Sequence, residues 1–245
     1  MNSLPLTRHP STNVIRLSGR TLAVARSFWR VVCVTATLTF LIALPFRWIQ
    51  LTNPSPTNLS NLIALGIAPT FFAAYSIFWE IVIAAPFAIV GFIIFKRCGD
   101  ERIALLTSLF LVVFGVGSAT FTPTILALLG IHPALDFLQQ SFGALSWITF
   151  AWFFYLFPTG RFVPGWTRWL ALVWTPVCIV WNFLPDSPWN PLNWSGWMFG
   201  LVVGFVWATW LFSQVYRYRR VSNEIERQQT RWIVFAVALI MISMS

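Results

Sequence analysis

Long apolar runs alternate with short polar stretches along this chain, and the polar stretches are of two kinds in turn. One kind is rich in arginine and the other is almost uncharged. Six runs have the length and apolar content of membrane-crossing helices, at about residues 29–48, 69–95, 103–129, 138–157, 169–184 and 197–215. Residues 1–27 precede them as a basic arm. At helical spacing Arg16, Arg20, Arg26 and Arg30 share an arc of roughly 120°. Both an interfacial helix on anionic headgroups and a disordered tail fit that arm. Residues 50–66, with Asn53-Pro54-Ser55-Pro56, read as an uncharged loop.

Local signals refine the joints. Gly99 closes one helix and Asp100 caps the next, with Glu101 in its first turn, so the second and third runs should form a tight antiparallel hairpin. Pro176 predicts a kink in the short fifth run. Residues 216–231 are the most polar stretch. There Asn223 and Glu226 have capping-box spacing, which predicts a helix restart leading into a seventh apolar run. That run, 232–245, would rise about 21 Å, against roughly 30 Å of hydrocarbon. The chain therefore reads as cut off inside a span. The expected fold class is all-α: an integral membrane helical bundle of six full transmembrane helices plus an incomplete seventh. Its expected parts are the arm (1–27), a six-span domain (28–215), a polar hinge (216–231) and the seventh helix's start (232–245).

Charge sets the expected orientation. Every Lys and Arg except Arg47 falls in four clusters, at residues 8–30, 96–102, 161–168 and 217–231. Positive loops are retained in the cytoplasm, so the N-terminus and all four clusters should face it. The net charge of +9 is thus spread over membrane-side loops, not gathered on one face that could bind nucleic acid. Composition agrees: 58% hydrophobic and 9% charged residues, against about a quarter charged in soluble domains. The three cysteines lack C-x-x-C spacing and suggest neither a disulfide framework nor a zinc site. Leu44-Pro45-Phe46-Arg47 offers no small-residue cleavage site, so the first run should remain as an anchor.

Candidate chemistry is sparse. His9 and His132 have no partner at metal-ligand spacing, and no phosphate-loop, dinucleotide, zincin or nucleophile-elbow motif occurs. Neither a metal nor a cofactor is expected. Glu80 stands out, because a carboxylate inside a span costs roughly 2–3 kcal/mol or more on insertion scales. It reads either as a ligand- or proton-sensing group or as a neutral acid bonded to a neighbouring helix. Ser76, Glu80, Ala84 and Ala88 form a small-residue stripe suited to helix packing, as do Gly200, Gly204 and Ala208, within the bundle or across a homodimer. The many tryptophans read mainly as interface anchors.

Two stretches carry a resemblance. Phe154-Tyr155-Leu156-Phe157-Pro158-Thr159-Gly160-Arg161-Phe162-Val163-Pro164-Gly165-Trp166-Thr167-Arg168-Trp169 resembles the FP-x-GRFVP-x-W turn in the N-terminal membrane region of large bacterial sensor histidine kinases. Tyr216-Arg217-Tyr218-Arg219-Arg220-Val221-Ser222, followed by Glu226-Arg227-Gln228-Gln229-Thr230-Arg231-Trp232, resembles a second hallmark of that region. The resemblance implies a sensory input module in the bacterial cytoplasmic membrane, without the downstream phospho-acceptor and ATP-binding domains and hence without enzymatic activity of its own. It implies a coupling role for Pro158, Gly160, Arg161, Arg219, Arg220, Gln228, Gln229 and Trp232. The partners implied are the lipid bilayer, a second copy, and kinase domains or a response regulator where an intact kinase exists; nucleic acid is not among them. The alternatives are a small transporter or channel subunit, a scaffold, or a non-functional fragment of an interrupted gene.

Overall fold

The computed structural model describes residues 16–118 and 122–220. In chain order these form α1 (Gly19–Thr52), α2 (Pro56–Ala64), α3 (Pro69–Cys98), α4 (Arg102–Gly117), a 3-10 segment (Pro123–Leu128), α5 (Pro133–Leu156), α6 (Thr167–Phe183), a second 3-10 turn (Pro191–Asn193) and α7 (Gly196–Arg220). Strand pairing among the described residues is limited to one isolated bridge between Arg16 and Glu101.

Several joints differ from expectation. α1 starts at Gly19, whose φ of +56° turns the chain out of extended Ser18, so much of the supposed arm is already helix. The loop expected at 50–66 contains α2, because Pro56 suits a first helical turn and the Ser55 hydroxyl accepts from Asn58 N. The α3–α4 turn is as tight as expected, and Gly99 is required there: a Cβ would lie 2.4 Å from the Phe95 carbonyl oxygen. Asp100 does not cap α4. It pairs instead with Arg16 at 3.6 Å, as Glu101 does at 3.7 Å, while Leu17 N donates to Asp100 O. A guanidinium outcompetes the helix start for these carboxylates.

The largest correction concerns the run 103–129, expected as one span. α4 ends at Gly117, and the chain resumes as the 3-10 segment. Pro123 disfavours helix at the residue before it, and Thr122 is indeed extended at φ −131°. Thr122, Thr124, Ile125 and Leu128 are almost wholly buried, so this irregular backbone is enclosed by protein, which is where a membrane tolerates it.

α4 is the central helix, apolar all round and packed by α1, α3 and α5. Phe87 approaches so closely that a Cβ on Gly115 would lie 2.2 Å from its Cβ, and one on Gly91 would lie 2.7 Å from Val112. One core layer joins α1 to α4 and α5 through Trp29, Cys33, Leu109, Val113 and Phe142. A second, strongly aromatic layer joins α4 to α5, α6 and α7 through Phe110, Phe114, Phe150, Phe154, Trp174 and Trp210. Tryptophan thus serves the interior as well as the rim. Trp29, expected as an interface anchor, is buried and stacked on Phe95 at 3.7 Å.

Among the described residues three helices, α1, α3 and α7, are long and apolar enough to cross a membrane. Apolar side chains such as Val31, Leu38, Phe78, Ile89, Leu201 and Phe205 stay exposed along them, as lipid-facing surfaces require. The other expected spans are shorter or more polar: α4 has 16 residues, α6 has 17, and α5 opens with Asp136, Gln139 and Gln140. The arginine clusters meet at one end of the bundle. Arg26 Nε donates to Gly99 O at 3.1 Å, and Arg217 to the backbone of Arg161 at 2.7 Å. A small recess lined by Arg102, Leu156 and Gly160 joins the two hairpin turns. Arg47 lies at the far end of α1.

Candidate functional site

Glu80 lies in the first half of α3 and is buried, 6% exposed. Its Oε1 accepts from both Nε and Nη2 of Arg47, each at 3.3 Å. Its Oε2 accepts from Thr124 N at 2.7 Å and from the Thr124 hydroxyl. Both carboxylate oxygens are therefore engaged, one by a cation on α1 and one by the 3-10 segment. Arg47 and Glu80 thus have the geometry of an ion pair, with Nη2 and Oε1 3.3 Å apart. The partner in the pair is the one arginine outside the four clusters, 33 positions upstream of Glu80. Glu80 is thus bonded to two neighbouring elements, α1 and the 3-10 segment.

Arg47 links this interior to a polar recess. Its Nη1 donates to Gln50 Oε1 at 3.0 Å, and it lines a half-open recess of about 510 Å³ between the end of α1, α2 and the start of α3. Ser55, Asn58 and Asn61 add polar groups, and Leu62, Leu65 and Phe72 an apolar wall.

At the opposite, basic end, α7 grips the turn after α5. Ser213 Oγ donates to Val163 O at 2.9 Å, Gln214 Nε2 to Phe154 O and Phe157 O, and Arg217 Nη2 to Tyr155 O at 2.8 Å and Arg161 O at 2.7 Å. The last carbonyls of a helix have no partner within it. Here those of Phe154 and Tyr155 are capped by side chains of another helix, and those of Phe153 and Leu156 by the amides of Phe157 and Gly160. Gly160 has φ +74°, the left-handed conformation that suits glycine at such a helix exit. Pro158 follows a cis peptide bond, as does Pro164. Tyr155 Oη also bonds Thr209 Oγ1 at 2.8 Å, extending the α5–α7 contact into the core.

The expected coupling residues divide accordingly. Pro158, Gly160 and Arg161 are in the gripped turn, although Arg161 contributes its carbonyl and leaves its side chain exposed. Arg219 and Arg220 are exposed in the last turn of α7. Gln228, Gln229, Trp232 and the hinge from 221 onward lie outside the described residues, as does the seventh run. Arg217, expected in the polar hinge (216–231), is wholly buried in the last turns of α7. The sequence reading missed Ser213 and Gln214. The available signal was a polar pair, with arginine three and four positions later, in the last turns of an apolar helix.

Of the packing stripes, Ala84 is buried against Phe40 and Val116, and Ala88 packs beside them. Ser76 is half-buried at the margin, while Ala73 and Gly91 complete the buried face of α3. Gly200, Gly204 and Ala208 instead line an apolar cavity of about 620 Å³ with Trp147, Trp174, Trp181 and Trp207. A Cβ at Gly200 or Gly204 would meet no described atom within 4 Å, so no described helix packs on that stripe. Among the described residues no three His, Cys, Asp or Glu side chains gather as metal ligands. Comparison of the chain with protein-family models, with characterised proteins and with solved structures gives no match.

Proposed function

We propose that this chain is the membrane input module of a two-component sensor histidine kinase. In this reading the basic end faces the cytoplasm of a bacterium, the recess at Arg47 faces the other side of the inner membrane, and the shorter helices α4, α5 and α6 complete a multi-pass bundle.

The single observation that carries the proposal is the interlock at the basic end. The two stretches that resemble sensor kinases lie far apart in sequence, yet Arg217 of the second holds the carbonyls of Tyr155 and Arg161 in the first, and Gln214 just before it those of Phe154 and Phe157. A change in how α5 and α7 pack would alter the direction in which the chain leaves α7. Anything joined beyond Arg220 would sense that change. A lever of this kind needs two packings of similar free energy, each favoured by a different input.

The test is a fusion of the full chain to a histidine-kinase core, assayed for autophosphorylation in membrane vesicles. The expected result is phosphorylation whose level changes when Gln214→Leu or Arg217→Gln loosens the grip. Phosphorylation indifferent to both substitutions across several fusion joints would overturn the proposal.

A further inference from the structure

The recess beside Arg47 is the most polar of the cavities described, and its chemistry is one-sided. Arg47 is the only ionised side chain that lines it, and no carboxylate does. Glu80 lies behind the guanidinium, with both oxygens already engaged. A guanidinium carries five N–H donors. Glu80 takes those of Nε and one from Nη2, and Gln50 takes one from Nη1. One N–H remains on each terminal nitrogen, open to a further acceptor such as a carboxylate.

The rest of the wall narrows the class further. Asn58 and Asn61, three positions apart on one face of α2, make no side-chain hydrogen bond within the described residues. Each amide offers a donor and an acceptor, matching the polar groups of a peptide unit. Leu65 and Phe72 supply an apolar wall. The volume, about 510 Å³, falls within the range of small-ligand sites. Charge excludes much of the rest. Glu80 already balances Arg47, so a ligand's acid group must share that one guanidinium, and a phosphate or dicarboxylate would bring a further charge with no cation to meet it.

We propose that this recess binds a small monocarboxylate of amino-acid to dipeptide size with an apolar substituent, its acid group on Arg47 and its peptide-like groups on Asn58 and Asn61. Such a ligand draws on the guanidinium that also holds Glu80, and so bears on the contact between α1, α3 and the 3-10 segment. As the stimulus of an input module it rests on the function proposed above. As a binding site it stands by itself.

The full chain in lipid nanodiscs is titrated by calorimetry with N-acetyl-leucyl-phenylalanine, as the free acid and as its C-terminal amide. The expected result is saturable one-to-one binding of the acid, with the amide weaker by roughly tenfold or more. Asn61→Leu should weaken the acid without moving the thermal unfolding midpoint, and Arg47→Lys, with fewer donors, should narrow the preference for acid over amide. No saturable binding of the acid into the millimolar range, equal binding of acid and amide, or unchanged affinity in Asn61→Leu would each overturn the site. Arg47→Lys keeps the charge opposite Glu80, and Asn61 is exposed, so a folding failure in one variant leaves the other to decide. Loss of binding alongside a kinase fusion that still responds to Gln214→Leu would reject the site and spare the input reading. Binding without any change in phosphorylation would do the reverse.

Discussion

Arg47 and Glu80 are unequal partners in their pair. The Glu80 side chain is 8% exposed and enclosed by α1, α3 and the 3-10 segment, whereas Arg47 is 16% exposed and borders a recess wide enough for water. Removing the arginine leaves a buried carboxylate uncompensated, an arrangement that costs about 3–5 kcal/mol. Removing the charge of the glutamate leaves a cation that can draw on solvent, and the Gln amide can still accept from Thr124. Arg47→Met should therefore lower unfolding stability in detergent by about 3 kcal/mol, and Glu80→Gln by only about 1 kcal/mol. The double variant should recover most of the loss. Equal losses in the two single variants would mean that both side chains reach water alike. One half of this site was legible in the sequence, since a lone Glu in an apolar run demands a partner. Its partner was not, because Arg47 on α1 meets Glu80 only once α1 and α3 pack side by side, a contact that no local pattern encodes.

At the scale of elements, glycines within helices do opposite things. Gly91 and Gly115 let α3 and α4 approach until side chains touch backbone, whereas Gly200 and Gly204 open onto a cavity. Gly115→Ala should cost about 1–3 kcal/mol by forcing Phe87 aside, and Phe87→Ala should restore part of it. Gly204→Leu should change stability by no more than about 0.5 kcal/mol, the usual range away from packed contacts. Denaturation in detergent measures both. Small-residue spacing flagged the α7 stripe, but spacing alone does not say whether another helix arrives to fill the notch. The end of α4 was hidden for a related reason: hydropathy continues to residue 129, and only Pro123 marks where the backbone changes course. Charge at the end of α7 misled as well. Arg217 is buried on two carbonyls, while Arg219 and Arg220 beside it are exposed. Arg217→Ala should lower stability by about 1.5–3 kcal/mol, the range for hydrogen bonds to charged groups, and should speed proteolytic nicking near Gly160. Arg219→Ala and Arg220→Ala should stay within about 0.5 kcal/mol.

For the whole molecule, the four-cluster pattern is what the sequence displayed most clearly, and the described parts of all four clusters converge at one end of the bundle. Helical class and membrane-scale hydropathy were legible because both are sums over many residues. The number of crossings was not, since it depends on whether α4, α5 and α6 reach both surfaces, and their lengths alone do not decide that. Reporter fusions near residues 100 and 165 should give cytoplasmic signals, and those near 58 and 190 the opposite. The inverse pattern would turn the bundle over and place the Arg47 recess on the cytoplasmic face.

The capping of α5 by α7 also bears on how the molecule is made. Tyr155 emerges from the ribosome 62 residues ahead of the Arg217 that closes its carbonyl. At 5–20 residues per second this interval is about 3–12 s. Through that interval the end of α5 and its proline turn stand unfinished beside the translocon, exposed to quality-control proteases. A nascent chain arrested before α7 should accordingly be degraded faster than one released after Arg217 has docked.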